Sequence, residues 1–535
     1  MKKFTALLFF LLMLFSSTAF AADFSNLVIL HTNDTHGFDQ YGNGSNGMAV
    51  ISALKKDYEA QGFEVLLLDS GDAIQDHPLV NFSQGASAIA FMNAARYDAG
   101  TLGNHEFDYG QDVLLQRVKE ASFPIVSTNI IVDATGDTLV KPYAILQKGE
   151  HKIGILGLTT PNTVTSSRSV NTCGLTFLKG KELWDCTQRY VDDLKSQGCD
   201  LIIVLSHLGS LGKALVSDSY AEDILAHVHG IDILLDGHDH LVKNKEVNGV
   251  IWAETGCHTE HIGRLLFENG KWSNAMLKFG EYTKEDPETK SVIDRYAAEI
   301  AAQNIKIGTS EVSLLEDKLT LHTRSQESNI GDLITDAFLW QGRNFQPNKN
   351  IDAAIINSGA IRTGIPKGDI PKNLIHNIMP FDNQLCLIQI QGEKLLEVLE
   401  AASCLVPEPA GGFAQVSGIE YTIDTRVLFA KGQPYDRSPY FAPLHPGSRV
   451  TIHSVGGKPF SPDSTYAILV TDFVLQGGDS YGGLTEKDAI LSKTDIGCID
   501  SDALLNYIQE ALHGTIGKEY EKPQGRIHIL YPAEP

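Results

Sequence analysis

The sequence has little from which to build a thiolate metal site, a polyanion-binding face or a membrane span. Seven cysteines (Cys173, Cys186, Cys199, Cys257, Cys386, Cys404 and Cys498) occur in 535 residues, and none forms a Cys-x-x-Cys pair. A thiolate zinc site is therefore disfavoured, and the odd number leaves at least one cysteine outside whatever disulfides an oxidising compartment would form. Basic residues are also short, with 43 Lys and Arg against 66 Asp and Glu, a net charge of −23. That balance argues against a nucleic-acid polymer as partner. It still allows a small anionic substrate, because bound cations and a few placed arginines can dominate a local field. The apolar run from Ala6 to Phe15 falls short of the roughly 20 residues a membrane span needs, and no second run is long enough.

That short run follows Lys2 and Lys3 and precedes the small-x-small site Ala19-Phe20-Ala21, the pattern of a secretory signal over residues 1–22. No lipid-acceptor cysteine follows it. The expected product is periplasmic or secreted, with no stable membrane insertion once the signal is removed. The length exceeds what one hydrophobic core supports, so two unequal domains are expected.

From Leu27 onward, short apolar runs alternate with helical stretches, which is the rhythm of an α/β layer domain. The run Leu27–Leu30 leads into His31-Thr32-Asn33-Asp34-Thr35-His36-Gly37. Val65–Leu68 leads into Asp69-Ser70-Gly71-Asp72, and Ala99–Leu102 into Gly103-Asn104-His105-Glu106-Phe107-Asp108. Leu201–Leu205 ends in Ser206-His207, and Ile231–Leu235 in Asp236-Gly237-His238-Asp239-His240. One such histidine or aspartate is ordinarily structural. Five sets at the carboxyl end of one sheet, where open α/β sheets bind ligands, reverse that judgement.

Further on, 286–303 and 328–340 read as helices, the second as the connection between domains. Ala353–Ile356 reads as a strand ending in Asn357-Ser358-Gly359-Ala360-Ile361-Arg362. Residues 385–390 read as a strand and 392–403 as a helix, while 449–455, Gly456-Gly457 and 465–470 read as a hairpin region.

Mixed Asp, Asn and His donors without thiolate suit Zn²⁺, Mn²⁺ or a similar borderline ion. Two ions about 4 Å apart, the spacing of two-metal phosphoester chemistry, need a carboxylate between them. Asp72, alone at its strand end, is the natural bridge. The set Asp34-x-His36, Gly71-Asp72, Gly103-Asn104-His105-Glu106, His207 and Gly237-His238-Asp239-His240 resembles the calcineurin-like metallophosphoesterases. The wording around Asp34, together with Asn357–Arg362, resembles more narrowly the secreted 5′-nucleotidase family, over essentially the whole mature chain.

The resemblance implies an N-terminal four-layer α/β domain, a β-sandwich flanked by helices, over 23–325. A linker helix over 326–344 would join it to a smaller α+β substrate-binding domain over 345–535. It implies two divalent ions (Zn, Mn or Co), one held by Asp34, His36, Asp72 and His240 and the other by Asp72, Asn104, His207 and His238. His105, oriented by Asp108, would stabilise the phosphate or protonate the leaving group while an ion-activated water attacks phosphorus. Arg362 would grip an anionic group, Phe413 and Phe473 would clamp the base, and Asp479 would accept from ribose hydroxyls. For either phenylalanine alone, core packing is the plainer reading. Three other residues are expected not to be ligands: Asp239 points elsewhere, His31 belongs to the core or supports the ligands from behind, and His77 is near the site in sequence only.

The expected partner is a small-molecule nucleotide, and a monomer is favoured. The leading expectation is hydrolysis of nucleoside 5′-monophosphates, extending to nucleotide sugars or polyphosphates. The alternatives are a 2′,3′-cyclic nucleotide 2′-phosphodiesterase/3′-nucleotidase and a non-catalytic nucleotide-binding protein.

Overall fold

The computed structural model describes residues 23–210, 219–302, 304–314, 320–347, 350–436 and 438–532. The secretory signal expected over 1–22 lies outside them. Among the described residues no helix is long and apolar enough to cross a membrane. All seven cysteines are unpaired, so the structure contains none of the disulfides an exported chain would allow.

The N-terminal half stacks four layers, and the alternation of side chains along its strands explains why. In the strand Leu27–Thr32, Val28 and Leu30 face one way, against the helices Gly47–Ala60, Ala86–Ala95 and Pro287–Ala301. Leu27 and Ile29 face the other way, into a second sheet. A strand with both faces covered must be apolar on both, which is how this run reads. The first sheet runs, in order, 271–278, 261–268, 27–32, 64–69, 99–101 and 125–126; the second runs 242–247, 250–255, 233–235, 201–207, 151–159 and 143–148. The outer face of the second sheet is covered by Gly180–Ser196 and Ala221–His227. The five polar strand ends therefore do not share one sheet edge. Three belong to the first sheet and two to the second, and they meet because both sheets present carboxyl ends at the same rim.

The C-terminal half is built around a five-stranded sheet in the order 414–417, 353–357, 465–471, 384–391 and 490–499. Alternation again divides its faces. Ala354, Ile356, Leu385 and Leu387 pack under one apolar cluster, and Ala353, Ile355, Cys386 and Ile388 under another. The helix Asn329–Phe345 lies in the first cluster, with Ile330, Leu333, Ile334, Ala337 and Phe338 fully buried beside these strands. It is thus a core element of this half. The Gly456-Gly457 turn also departs from expectation. Both glycines have positive φ, and they return Val450–Val455 onto the short strand Lys458–Pro459. Thr465–Thr471 instead crosses to the five-stranded sheet, between Ala353–Asn357 and Gln384–Gln391.

Candidate functional site

At the shared rim, two groups of side chains offer metal-ligand atoms lying within 4.8 Å of one another: Asp34, His36 and His240, and Asp72, His207 and His238. Asp34, His36, Asp72, His238 and His240 all have φ between 47° and 89°, a region where side-chain-bearing residues are strained. Such strain costs about 1–3 kcal/mol per residue and persists where a site over-determines the backbone. Close backbone approach is also built in. A Cβ on Gly103 would strike the Asp72 carboxylate, and one on Gly237 would strike Asp34 Oδ2.

The imidazole tautomers are fixed by main-chain acceptors. His36 Nδ1–H donates to the carbonyl of Gln75 at 3.0 Å, and His207 Nδ1–H to that of Ser70 at 2.6 Å, which turns both Nε2 atoms into the site. Asp72 Oδ1 accepts the backbone N–H of His105 at 2.8 Å. Its Oδ2 lies 3.0 Å from His207 Nε2 and 3.9 Å from His36 Nε2, so this one oxygen faces both groups. Asp34 Oδ1 lies 3.3 Å from His240 Nε2 and 3.8 Å from the Nε2 atoms of His36 and His207.

Electrostatics fit this donor set to cations. Burial, the largest influence, holds His36 down at about 3 and His238 at about 4, so both present the neutral ring that ligates metal. For His207 burial opposes the charged form, but Asp72 and Asp34 outweigh it and hold its pKa well above the ordinary value. For His240 burial likewise opposes charge; Cys257 and Asp34 prevail and raise it to about 10. Two buried carboxylates thus recruit protons where cations would otherwise sit. Asn104 Oδ1, buried without a hydrogen-bond partner, is a further unfilled donor of the kind a cation takes up.

His105 stands beside these groups. Its Nδ1–H donates to Asp108 Oδ2 at 2.6 Å, and its ring meets His36 edge-on at 5.4 Å and lies parallel to Phe381 at 6.0 Å. Burial opposes its charge, yet Asp108 and Asp72 hold its pKa above the ordinary histidine value. Asp239 turns away to Lys243 and Ser210, His31 lies buried against Asn274, and His77 caps the helix Pro78–Asn81.

Across the interface, Arg362 reaches Asp76 of the N-terminal half, with Nε at 3.1 Å and Nη2 at 2.9 Å from one carboxylate oxygen. Asp479 N–H donates to the Thr165 carbonyl at 2.8 Å, and its carboxylate accepts from Asn357 at 2.9 Å. Phe413 and Phe473 are buried in the same apolar cluster, 0% and 9% exposed, with Phe473 packed on Gly478.

Sequence reasoning missed three contributors. Glu106 accepts backbone N–H groups from Gly103 (2.6 Å), Asp72 (3.0 Å) and Ala73 (2.8 Å), clamping two strand ends together. Burial and the Asp72 charge raise its pKa to about 7. Phe381 bridges His105 and Arg362, whose guanidinium lies 5.9 Å from its ring centre. Arg324 has a buried Nε without a partner; burial, then the charge of Arg362, lowers its pKa to about 10. Glu106 stands inside the quoted motif, whereas nothing in the local sequence marks Phe381 or Arg324.

Two family models match the chain: calcineurin-like phosphoesterase over residues 27–242 and 5′-nucleotidase, C-terminal domain over residues 306–486. The chain belongs to the calcineurin-like metallophosphoesterases that carry a 5′-nucleotidase C-terminal domain, a family of metal-dependent phosphoesterases with a dinuclear metal site. It is similar to the trifunctional nucleotide phosphoesterase protein YfkN of Bacillus subtilis, 28% identical over 95% of this chain and 35% of that longer protein. It is also similar to the 5′-nucleotidase of Vibrio cholerae, 27% identical over 90% of each. Among solved structures, a 5′-nucleotidase precursor from Thermus thermophilus superposes with a TM-score of 0.78 at 28% identity, covering 95% of this chain and all of that one.

Proposed function

We propose that this protein is an exported hydrolase of nucleoside 5′-phosphates, organised as a catalytic half and a nucleoside-reading half that meet after Ala301. The observation that carries the reading is the convergence, at one rim, of two ligand groups, both faced by Asp72 Oδ2, with the His105–Asp108 pair and, from the other half, Arg362. In this reading Asp34, His36, Asp72 and His240 hold one divalent ion, and Asp72, Asn104, His207 and His238 the other. Bound there, the two ions supply Lewis acidity at the phosphate and lower the pKa of water.

The chain's own groups do the rest. Asp108 accepts the His105 Nδ1–H and favours the doubly protonated ring, so that Nε2 also carries a proton, the one offered to the leaving oxygen. Arg362 binds an anionic substrate group with its planar fork. Phe413 and Phe473 stack on the base and Asp479 accepts from ribose hydroxyls. Both rings are covered in the present arrangement, so the reading includes opening of the halves to admit a base. The names of the Vibrio relative and the Thermus structure support the 5′-phosphate assignment, and the name of YfkN supports testing a wider nucleotide range.

The test is phosphate release by purified protein from 5′-AMP, 3′-AMP, 2′,3′-cyclic AMP, ATP and UDP-glucose. It is run before and after chelation, with Mn²⁺, Co²⁺ or Zn²⁺ restored. Turnover of 5′-AMP that chelation abolishes and added metal restores is the expected result. A preference for 3′-AMP and cyclic AMP would reassign the substrate, and absence of both bound metal and phosphatase activity would remove the enzyme reading.

A further inference from the structure

Asp76 occupies a backbone conformation that suits glycine. Its φ is 122°, where a side chain is strained, and the loop is pinned there by reciprocal bonds with Asn81 (2.9 and 2.8 Å). A residue with a Cβ at such a position must recover the strain through what its side chain does. The Asp76 side chain accepts two hydrogen bonds from Arg362, whose Nε and Nη2 groups converge on its Oδ2, and its charge also acts on His36 and His258. Both side chains are less than a tenth exposed. The contact uses the Nε–Nη2 edge of the guanidinium, one of the edges that receives a carboxylate or phosphate side-on.

Position makes this more than a strap between halves. The guanidinium stands over Phe381, and Phe381 lies against His105, so the pair borders the group that faces the phosphate. Arg362 also lies close enough to Asp108 and Asp72 for their charges to act on it, and Arg324 is within electrostatic reach of it. A substrate anion arriving here meets a guanidinium edge already taken and a negative charge that opposes its own.

We propose that Asp76 is a specificity-determining residue: its carboxylate occupies the edge of Arg362 that a substrate anion would use, and so weakens binding most for nucleotides carrying more than one phosphate. This rests on the assignment of Arg362 as an anion-binding group made above. Asp76 acts as a resident competitor. Substrate must displace it or bind beside it, and the penalty grows with substrate charge because like charges brought together are strongly unfavourable.

The experiment compares KM and kcat for 5′-AMP and ATP in metal-loaded wild type, Asp76→Asn, Asp76→Gly and Arg362→Ala, with thermal melting of each and calorimetric titration of inorganic phosphate. The expected result is a fall in KM for ATP of about tenfold in both Asp76 variants, a smaller fall for 5′-AMP, and tighter phosphate binding, with the change in KM and not in kcat. Asp76→Gly, relieved at φ 122°, retains or raises the melting temperature. If Arg362→Ala raises KM while the folded Asp76 variants leave KM and phosphate affinity unchanged or weaker, Asp76 is only a strap and the proposal is overturned. If Arg362→Ala leaves KM unchanged, the assignment of Arg362 fails instead, and the proposal falls with it. If no nucleotide is turned over by wild type, phosphate titration decides: tighter binding in the Asp76 variants sustains the proposal, and unchanged binding ends it.

Discussion

The two halves of the molecule hold their functional side chains by different means. In the N-terminal half, Asp34, His36, Asp72, His238 and His240 leave the ends of strands in left-handed conformation, with glycines allowing the backbones to meet and Glu106 tying three N–H groups together. The polar constellation is assembled by the main chain and stands complete. In the C-terminal half, Phe413 and Phe473 are embedded in an apolar cluster, and Asp479 is held by a bond to the opposite half. On the proposed reading, chemistry is therefore built into the rim, whereas recognition draws on groups that double as core. A change in the first region should alter catalysis with the fold retained; a change in the second should couple binding to stability and to opening.

The largest effect is expected at Asp72, whose carboxylate faces both ligand groups. Asp72→Ala should lose most bound metal and reduce turnover to background, as metal analysis beside phosphate release would show. His105→Ala should retain metal and lose about 10²–10⁴-fold in kcat. If His105→Ala emptied the site, the division between ligands and proton donor would be wrong. Because His105 titrates above its ordinary value and acts protonated, wild-type kcat should hold below that pKa and decline as pH rises through it; the variant should lack this decline. Phe473→Ala should raise KM for nucleotides by the worth of one base stack, about 1–3 kcal/mol, and lower the melting temperature because the ring is also core. Glu106→Gln is expected to leave both sets of ligands in place but weaken metal binding by about 10–100-fold, measured by competition with a chelator.

How much of this could be read in advance follows the same division. Ligands such as Asp34, His36, Asp72 and His238 fall within a few residues of an apolar strand, so strand and chemistry share one local pattern. That the strands belong to two sheets is not local, because apolar runs of one composition serve either sheet. The helix Asn329–Phe345 showed its apolar face in the sequence, but not which half would cover it. The Gly456-Gly457 turn was legible, whereas its partner, the short strand Lys458–Pro459, carries too few residues to be seen. Arg324 and Phe381 become visible only when chain segments distant in sequence are brought to the rim.

The central claim is that the rim performs the chemistry while the C-terminal half reads the nucleoside. Its most direct test is kcat/KM for 5′-AMP and for a simple aryl phosphate in wild type, Asn104→Ala and Phe473→Ala. Asn104→Ala should lower both substrates alike, and Phe473→Ala should lower 5′-AMP while sparing the aryl phosphate. Equal losses on both substrates in Phe473→Ala would contradict it.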